Sequence, residues 1–351
     1  MTTIPKQMKG IQLIAYGESE MLQCRNDIVV PTPSDNEVLI RVSAAGVNNT
    51  DINTRIGWYA KNEALDNKAS WSGNALSFPR IQGADVCGKI VAVGEKVDTK
   101  RIGERVLIEP CLSEVKGQTR TPPWYLGSEC DGGFAEYIAV SAKHAYRIET
   151  SLTDNELASF PCSYSTAENM LTRANVNQAD TVLISGASGG VGSAAIQLAK
   201  ARGAYVIAMT SPSKNQQLLD IGADKVIARN ADLIAILGEN SVDVIIDLVA
   251  GKQWPQYLEV LRPCGRYAVS GAIAGAHVNL DVRTLYLKDL SFFGCTVLAP
   301  HVFKNLINQI ERGKIVPLVA KTFPLTDINI AQVEFLKKQH VGKIVLTISD
   351  E

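Results

Sequence analysis

The feature that most constrains this chain is the run Gly186-Ala187-Ser188-Gly189-Gly190-Val191-Gly192. It follows Thr181-Val182-Leu183-Ile184-Ser185 and leads into a helical stretch from Val191 to Arg202. The five residues before the run have the continuous apolar pattern of a buried strand, and Gly203 suits the helix's C-terminal cap. Strand, glycine-rich turn and helix in that order bring backbone N–H groups and the positive end of a helix dipole to one place, where phosphates bind. Gly189 lets backbone approach a pyrophosphate, and Gly192 lets the helix pack tightly on the strand. The run departs from the G-x-G-x-x-G pattern at Ala187, which has Gly186 before it. Gly186, Ala187, Ser188, Gly189, Gly190, Val191 and Gly192 are therefore expected to line a dinucleotide site.

The residues that follow agree. Strand patterns recur at 204–209, 225–228, 243–248 and 265–270, and a helix between the first two is stopped by Gly222. Alternation of this kind predicts a parallel, doubly wound sheet. The end of the second strand selects the coenzyme. An enzyme that uses NAD usually carries Asp or Glu there for the ribose hydroxyls. Here the stretch is Met209-Thr210-Ser211-Pro212-Ser213-Lys214, with hydroxyls, a cation and no carboxylate. Ser211 and Lys214 suit a 2′-phosphate, so NADPH is expected over NADH.

The first half is β-rich. Residues 38–42, 89–94, 105–108 and 135–140 are short strand candidates bounded by Gly, Pro and Asp, which suggests a compact barrel or sandwich. Residues 57–80 and 111–131 lack a regular pattern and are expected to be long loops. A capped helix starts near 152–157, another helix lies near 302–312, and a strand closes the chain at 342–346. The 351 residues are enough for two cores. A net charge of -1 with no basic run argues against nucleic acid and anionic membrane as partners. No apolar run is long enough to span a bilayer. The start has no signal-peptide pattern, so a cytoplasmic location is expected. Seven scattered cysteines with no Cys-x-x-Cys suggest free thiols in a reducing compartment.

Several segments carry a resemblance. They are Gly46-Val47-Asn48-Asn49-Thr50-Asp51, Gly83-Ala84-Asp85-Val86-Cys87-Gly88, Gly103-Glu104-Arg105-Val106, Gly132-Gly133-Phe134-Ala135-Glu136-Tyr137, the glycine loop, Ile221-Gly222-Ala223-Asp224 and Gly342-Lys343-Ile344-Val345-Leu346. In this order they resemble the medium-chain dehydrogenase/reductase superfamily, and more closely its zinc-independent quinone oxidoreductase branch. The resemblance implies an α/β chain of two domains. A GroES-like β-rich catalytic domain of residues 1–150 would be completed by 300–351. A Rossmann domain with a doubly wound parallel sheet would span 151–299. It also implies a coenzyme in the cleft between them and a homodimer, for which Leu290-Ser291-Phe292-Phe293-Gly294 is the candidate pairing strand. Thr166, near the nicotinamide in that family, and Lys343 join the expected coenzyme-binding residues.

Zinc-dependent members bind a catalytic metal through Cys, His and Cys. By the same resemblance those positions hold Asn48, Ala84 and Cys162 here, and one thiolate cannot replace three protein ligands. Residues 95–131 contain only Cys111 and Cys130, too few for a four-cysteine structural site. No metal is expected. Without a Lewis acid, oxidation of unactivated alcohols becomes hard, whereas hydride delivery to an electrophilic acceptor stays feasible. The expected activity is NADPH-dependent reduction of a small molecule, a quinone or α,β-unsaturated carbonyl. Asn48 and Tyr59 are candidates to touch the acceptor, and Asp51 to order the loop. Two alternatives stay open: a catalytically idle NADPH-binding structural or sensor protein, and a zinc-type alcohol dehydrogenase with altered ligands.

Overall fold

The structure, a computed structural model, describes residues 4–60 and 70–349. Residues 61–69 of the 57–80 stretch, and the first three residues, lie outside the described residues. The chain divides into two compact units.

One unit comprises Ser163–Val316 and His340–Gly342. Its sheet has six strands in the spatial order Lys225–Ala228, Tyr205–Thr210, Thr181–Ile184, Val242–Asp247, Leu261–Val269, Ser291–Gly294. Every neighbouring pair is parallel. The apolar runs explain this. Val182, Leu183 and Ile184 are wholly buried, as are Val244, Ile245 and Ile246, so both faces of the central strands are covered. The helix Gly190–Ala201 buries everything from Gly192 to Ala199. Strand order reverses between Thr181–Ile184 and Val242–Asp247, and ligands of such sheets bind beyond the carboxyl ends of the strands at that point. Asp247 ties those ends together. It is fully buried and accepts hydrogen bonds from Ser185 Oγ (2.5 Å), Tyr267 Oη (2.6 Å) and the N–H groups of Val249 and Ala250.

The other unit comprises Met1–Cys162, Pro317–Gln339 and Lys343–Glu351. Its largest sheet runs Ala145–Arg147, Arg105–Ile108, Cys87–Val93, Glu37–Val47, Lys343–Thr347, Val319–Pro324, with Tyr137–Ser141 also paired to Glu37–Val47. A second sheet orders Leu22–Val29, Gln7–Leu13 and Arg80–Ile81. The antiparallel pairing of Lys343–Thr347 with Val47 back to Ala44 fastens the chain's last strand onto one of its first.

Two expectations change. Residues 111–131, expected as a loop, contain the hairpin Cys111–Val115 and Gln118–Tyr125. Its turn residues Lys116 and Gly117 both have positive φ (51° and 69°), the geometry that matches the twist of paired strands. Lysine rarely adopts it, so the turn is hard to see in sequence. The boundaries also differ: the division falls after Cys162 rather than near 150, and after Val316 rather than near 300. The N–H of Cys162 bonds to Asp85, holding that stretch in the β-rich unit. Val316 is held in the parallel-sheet unit by its N–H to Gln197 Oε1 (2.8 Å) and by Tyr164 Oη to its carbonyl (2.9 Å).

Candidate functional site

In the parallel-sheet unit the glycine loop has the form expected of it. Gly186 takes φ 57°, the left-handed turn that glycine accepts without strain. A Cβ on Gly192 would lie 2.4 Å from the Gly186 carbonyl oxygen and 2.6 Å from Ala187 Cα, so only glycine lets the helix sit this close. Gly189 is the opposite case. A Cβ there meets nothing nearer than the Gly186 oxygen at 3.6 Å, and the residue is exposed. Gly189 is also the N-cap of the helix Gly190–Ala201, and no side chain caps it. Gly190 and Val191 lie in the first turn, whose N–H groups have no partner within the helix. The positive dipole end and an open backbone cradle therefore coincide, which fits a pyrophosphate.

Ser188 of the loop accepts a hydrogen bond from Lys214 Nζ at 3.2 Å, and the same ammonium donates to the His340 carbonyl at 3.0 Å. Burial, and then the charge of Arg229, lower the Lys214 pKa from its ordinary value. Ser211 caps the turn Pro212–Lys214 that carries this lysine. Thr166 lies on the helix Pro161–Arg173, half-buried. Gly342 donates its N–H to the Ser188 carbonyl at 3.1 Å, so the segment His340–Gly342 rests on the loop.

In the β-rich unit a second cluster forms around the helix Asn49–Ile56. Asn48 is its N-cap, and Asp51 Oδ2 accepts the Asn48 N–H at 2.8 Å. The Asn48 side chain is fully engaged. Its Nδ2 donates to Asp85 Oδ2 (2.8 Å) and to the Gly46 carbonyl (3.3 Å), and its Oδ1 accepts from Lys343 Nζ. The amide expected to donate to an acceptor carbonyl therefore has its donors spent within the protein. The ammonium of Lys343, expected among the coenzyme-binding residues, is buried against Asp85 Oδ2 at 2.7 Å. Asp85, wholly buried, accepts the Cys162 N–H through its other oxygen. Cys162 Sγ meets Tyr125 Oη at 3.0 Å, and burial pushes the thiol up to about 12. Tyr59 donates its hydroxyl to Thr50 Oγ1 at 3.1 Å, and burial raises its pKa. The structure thus gathers Asn48, Asp51, Tyr59 and Lys343 in the neighbourhood of one helix. It adds Asp85 as the partner of Lys343 and Tyr125 as that of Cys162, pairings with no local signal because the partners lie far apart in sequence.

Residues 34–150 match the family model of the alcohol dehydrogenase GroES-like domain, and residues 190–312 that of the zinc-binding dehydrogenase. A Sinorhizobium meliloti 1021 protein assigned as an alcohol dehydrogenase, known from its crystal structure, is 44% identical with a TM-score of 0.93, the match covering 99% of each chain. The chain belongs to the medium-chain dehydrogenase/reductase superfamily. It is 29% identical over 362 residues to a rat quinone oxidoreductase, a match covering 99% of this chain and 100% of the relative. It is also 29% identical over 356 residues to an NAD-dependent alcohol dehydrogenase of Sulfolobus acidocaldarius, covering 97% of this chain and 100% of the relative. As a superfamily member it is a nicotinamide-dependent oxidoreductase with a GroES-like and a Rossmann unit.

The zinc in the name of one matched model does not suit the residues present. Asn48 offers an engaged amide, Ala84 a methyl group, and Cys162 a thiol held protonated by burial. Asp85 is already paired with an ammonium, and both its oxygens are engaged within the protein. Zinc needs three protein ligands, and among the described residues these three positions do not supply them.

The two glycines of the loop are expected to respond differently to substitution. Gly192→Ala lowers stability by roughly 1–3 kcal/mol, because overpacking against Gly186 outweighs the roughly 1 kcal/mol by which alanine favours a helix. Gly189→Ala leaves the unfolding midpoint unchanged but weakens coenzyme binding at least about tenfold. Denaturant unfolding and fluorescence titration check both, and equal effects of the two substitutions would contradict the geometry.

A pH dependence is expected from Asp51. Burial raises its carboxyl from 3.8 to about 7, against the opposing pull of the Asn48 N–H and the Lys343 charge. A folded-state value above the unfolded one means that its contribution to stability is fully present below 3.8 and is lost as pH rises through about 7. Across that window the wild-type protein loses a few kcal/mol of stability relative to Asp51→Asn, since each tenfold change in proton affinity is worth about 1.4 kcal/mol. Parallel pH–stability curves for the two proteins would refute it.

Proposed function

We propose that this chain is an NADPH-dependent reductase of electrophilic carbonyl acceptors, quinones or α,β-unsaturated carbonyls, that works without zinc as a cytoplasmic homodimer. The observation that carries the reading is the open helix entrance at Gly189-Gly190, with the Lys214 ammonium bonded to Ser188 of the same loop. The loop amides bind the pyrophosphate. Ser211 and Lys214 hold the 2′-phosphate, with no carboxylate in residues 209–214 to repel it. Thr166 serves the nicotinamide end. When bound, the reduced coenzyme supplies the hydride. Tyr59, Asn48 and Asp51 then position the acceptor. Asn48 acts through the amide geometry that Asp85 and Lys343 impose, and Asp51 by fixing the start of the helix. A site without a Lewis acid favours acceptors that are already electrophilic over unactivated alcohols. The quinone oxidoreductase likeness supports this reading.

Absorbance loss on mixing the protein with NADPH and a panel of quinones and enones tests the activity, and no turnover across the panel would overturn it. Lys214→Ala weakens NADPH about 10- to 100-fold, the equivalent of the 1.5–3 kcal/mol typical of a charged hydrogen bond, and leaves NADH nearly unchanged. Equal loss for both coenzymes would remove its role at the phosphate.

The homodimer is supported by the strand Ser291–Gly294, which is the edge of its sheet, beside exposed Tyr286, Leu287 and Phe292. Such an edge pairs readily with a second copy. Light scattering is expected to give twice the chain mass, and Leu287→Arg to shift it toward one. A wild-type monomer at micromolar concentration would contradict the pairing.

A further inference from the structure

Neighbouring residues of a strand face opposite sides, and the strand Gln118–Tyr125 puts its two sides to different uses. Tyr125 turns its hydroxyl to Cys162, whereas Trp124 packs on a core that includes Leu112, Val115 and Leu126. Beside Trp124 lies a cavity of about 760 Å³ that opens to solvent, lined entirely by the β-rich unit. Its apolar wall is made by Met8 and Ile28 from one core and by Leu112, Val115 and Leu126 from another. Small-molecule sites are of this size, roughly 300–1,000 Å³. The guanidinium carbon of Arg120 sits 4.1 Å from the centre of the Trp124 ring, a contact that places a cation without neutralising it. Among the described residues Arg120 has no ion pair, and its Nε is buried with no acceptor. Arg80, in the same lining, spends Nη1 on Asp131 at 2.7 Å and also leaves a buried Nε unbonded. Buried N–H groups without an acceptor are costly. The carboxylates of the lining are in the opposite condition. Glu37 accepts the Ser34 N–H, Glu114 the Ser141 hydroxyl, and Glu129 the N–H groups of Ser72 and Tyr125. Asp131 accepts from Arg80 and from the Ile81 N–H. What this cavity lacks is an acceptor.

We propose that this cavity binds a small organic monocarboxylate with an apolar body, its carboxylate held by the Arg120 guanidinium and its body seated against Met8, Ile28 and Leu126. Guanidinium and carboxylate match in shape and charge and pair through two parallel hydrogen bonds. The apolar wall selects for a hydrocarbon body. Charge sets the upper limit: Glu37, Glu114, Glu129 and Asp131 share the lining, so a second negative charge on the ligand is repelled where the first is held by Arg120. An occupant also joins the hairpin to the strands Gln7–Leu13 and Leu22–Val29, which carry Met8 and Ile28. The site lies wholly within one unit, and the inference does not depend on the reductase reading.

The test is calorimetric titration of the full chain with sodium benzoate and sodium hexanoate, with benzamide as the uncharged counterpart and inorganic phosphate as the more highly charged one. The expected result is one saturable site per chain for at least one of the two acids. Benzamide and phosphate bind at least about tenfold more weakly, because each lacks either the charge or the apolar body. Arg120→Gln keeps much of the side chain and removes the charge, and it weakens the acid about 10- to 100-fold, the loss of a charged hydrogen bond. Saturating NADPH leaves the binding of the acid unchanged. No saturable binding of either acid at millimolar concentration overturns the proposal and leaves the reductase reading standing. Benzamide bound as tightly as benzoate overturns it, since the guanidinium then does not select the ligand. An acid bound equally by Arg120→Gln, or displaced by NADPH, occupies another site and overturns it as well. Should the variant not fold, the arginine reagent p-hydroxyphenylglyoxal decides on the unaltered protein. Mass spectrometry is expected to show that benzoate slows modification of Arg120 while the other arginines keep their rates, and an unchanged rate at Arg120 overturns the proposal.

Discussion

The backbone at Gly192 passes so close to the Gly186 carbonyl that no side chain fits between them. Much of the parallel-sheet unit depends on that approach. It sets the helix Gly190–Ala201 hard against the strand Thr181–Ile184, with its N-terminus opening at the carboxyl edge of the sheet. Asp247 fixes the same edge from the next strand, gathering Ser185, Tyr267 and the N–H groups of Val249 and Ala250 on one buried carboxylate. Charge and hydrogen bonds thus hold the strand ends, while the lack of a Cβ keeps the helix entrance within reach of a ligand. Lys214 adds the positive charge, and its lowered pKa reflects the cost of burying it beside a second cation. An anion at this place relieves that cost.

The β-rich unit is organised around a different constraint, the buried carboxylate of Asp85. An isolated charge at that depth would be neutralised or excluded, so it needs a cation. A lysine from the chain's last strand supplies it, and the pairing of Lys343–Thr347 with the strand Glu37–Val47 delivers that lysine to the site. The same ammonium also donates to Asn48 Oδ1, so one lysine ties two loops of the unit together.

Legibility in sequence followed the physics of each element. The parallel strands were readable because strands buried on both faces are continuous apolar runs, as at Val182–Ile184 and Val244–Ile246. The glycine loop was readable because its chemistry is local. The strand Leu22–Val29 was not, since it buries little beyond Leu22 and reads as polar. The hairpin at 111–125 escaped because its turn is Lys116-Gly117, a weak signal. In the site, Asn48, Asp51 and Tyr59 lie near one helix and could be grouped from sequence, and Ser211 and Lys214 stand out at a strand end that lacks an acid. The direction in which Lys343 points could not be read, because its partners, Asn48 and Asp85, come from the opposite end of the chain.

The central claim is that a reduced dinucleotide with a 2′-phosphate docks at the entrance of the helix that begins at Gly190. Isothermal titration calorimetry of the unaltered protein with NADPH and NADH in turn tests it most directly. One site per chain is expected, saturable by NADPH and at least about tenfold tighter for it than for NADH, equivalent to about 1.4 kcal/mol or more. Folded protein that evolves no heat with either coenzyme, or that prefers NADH, would contradict it.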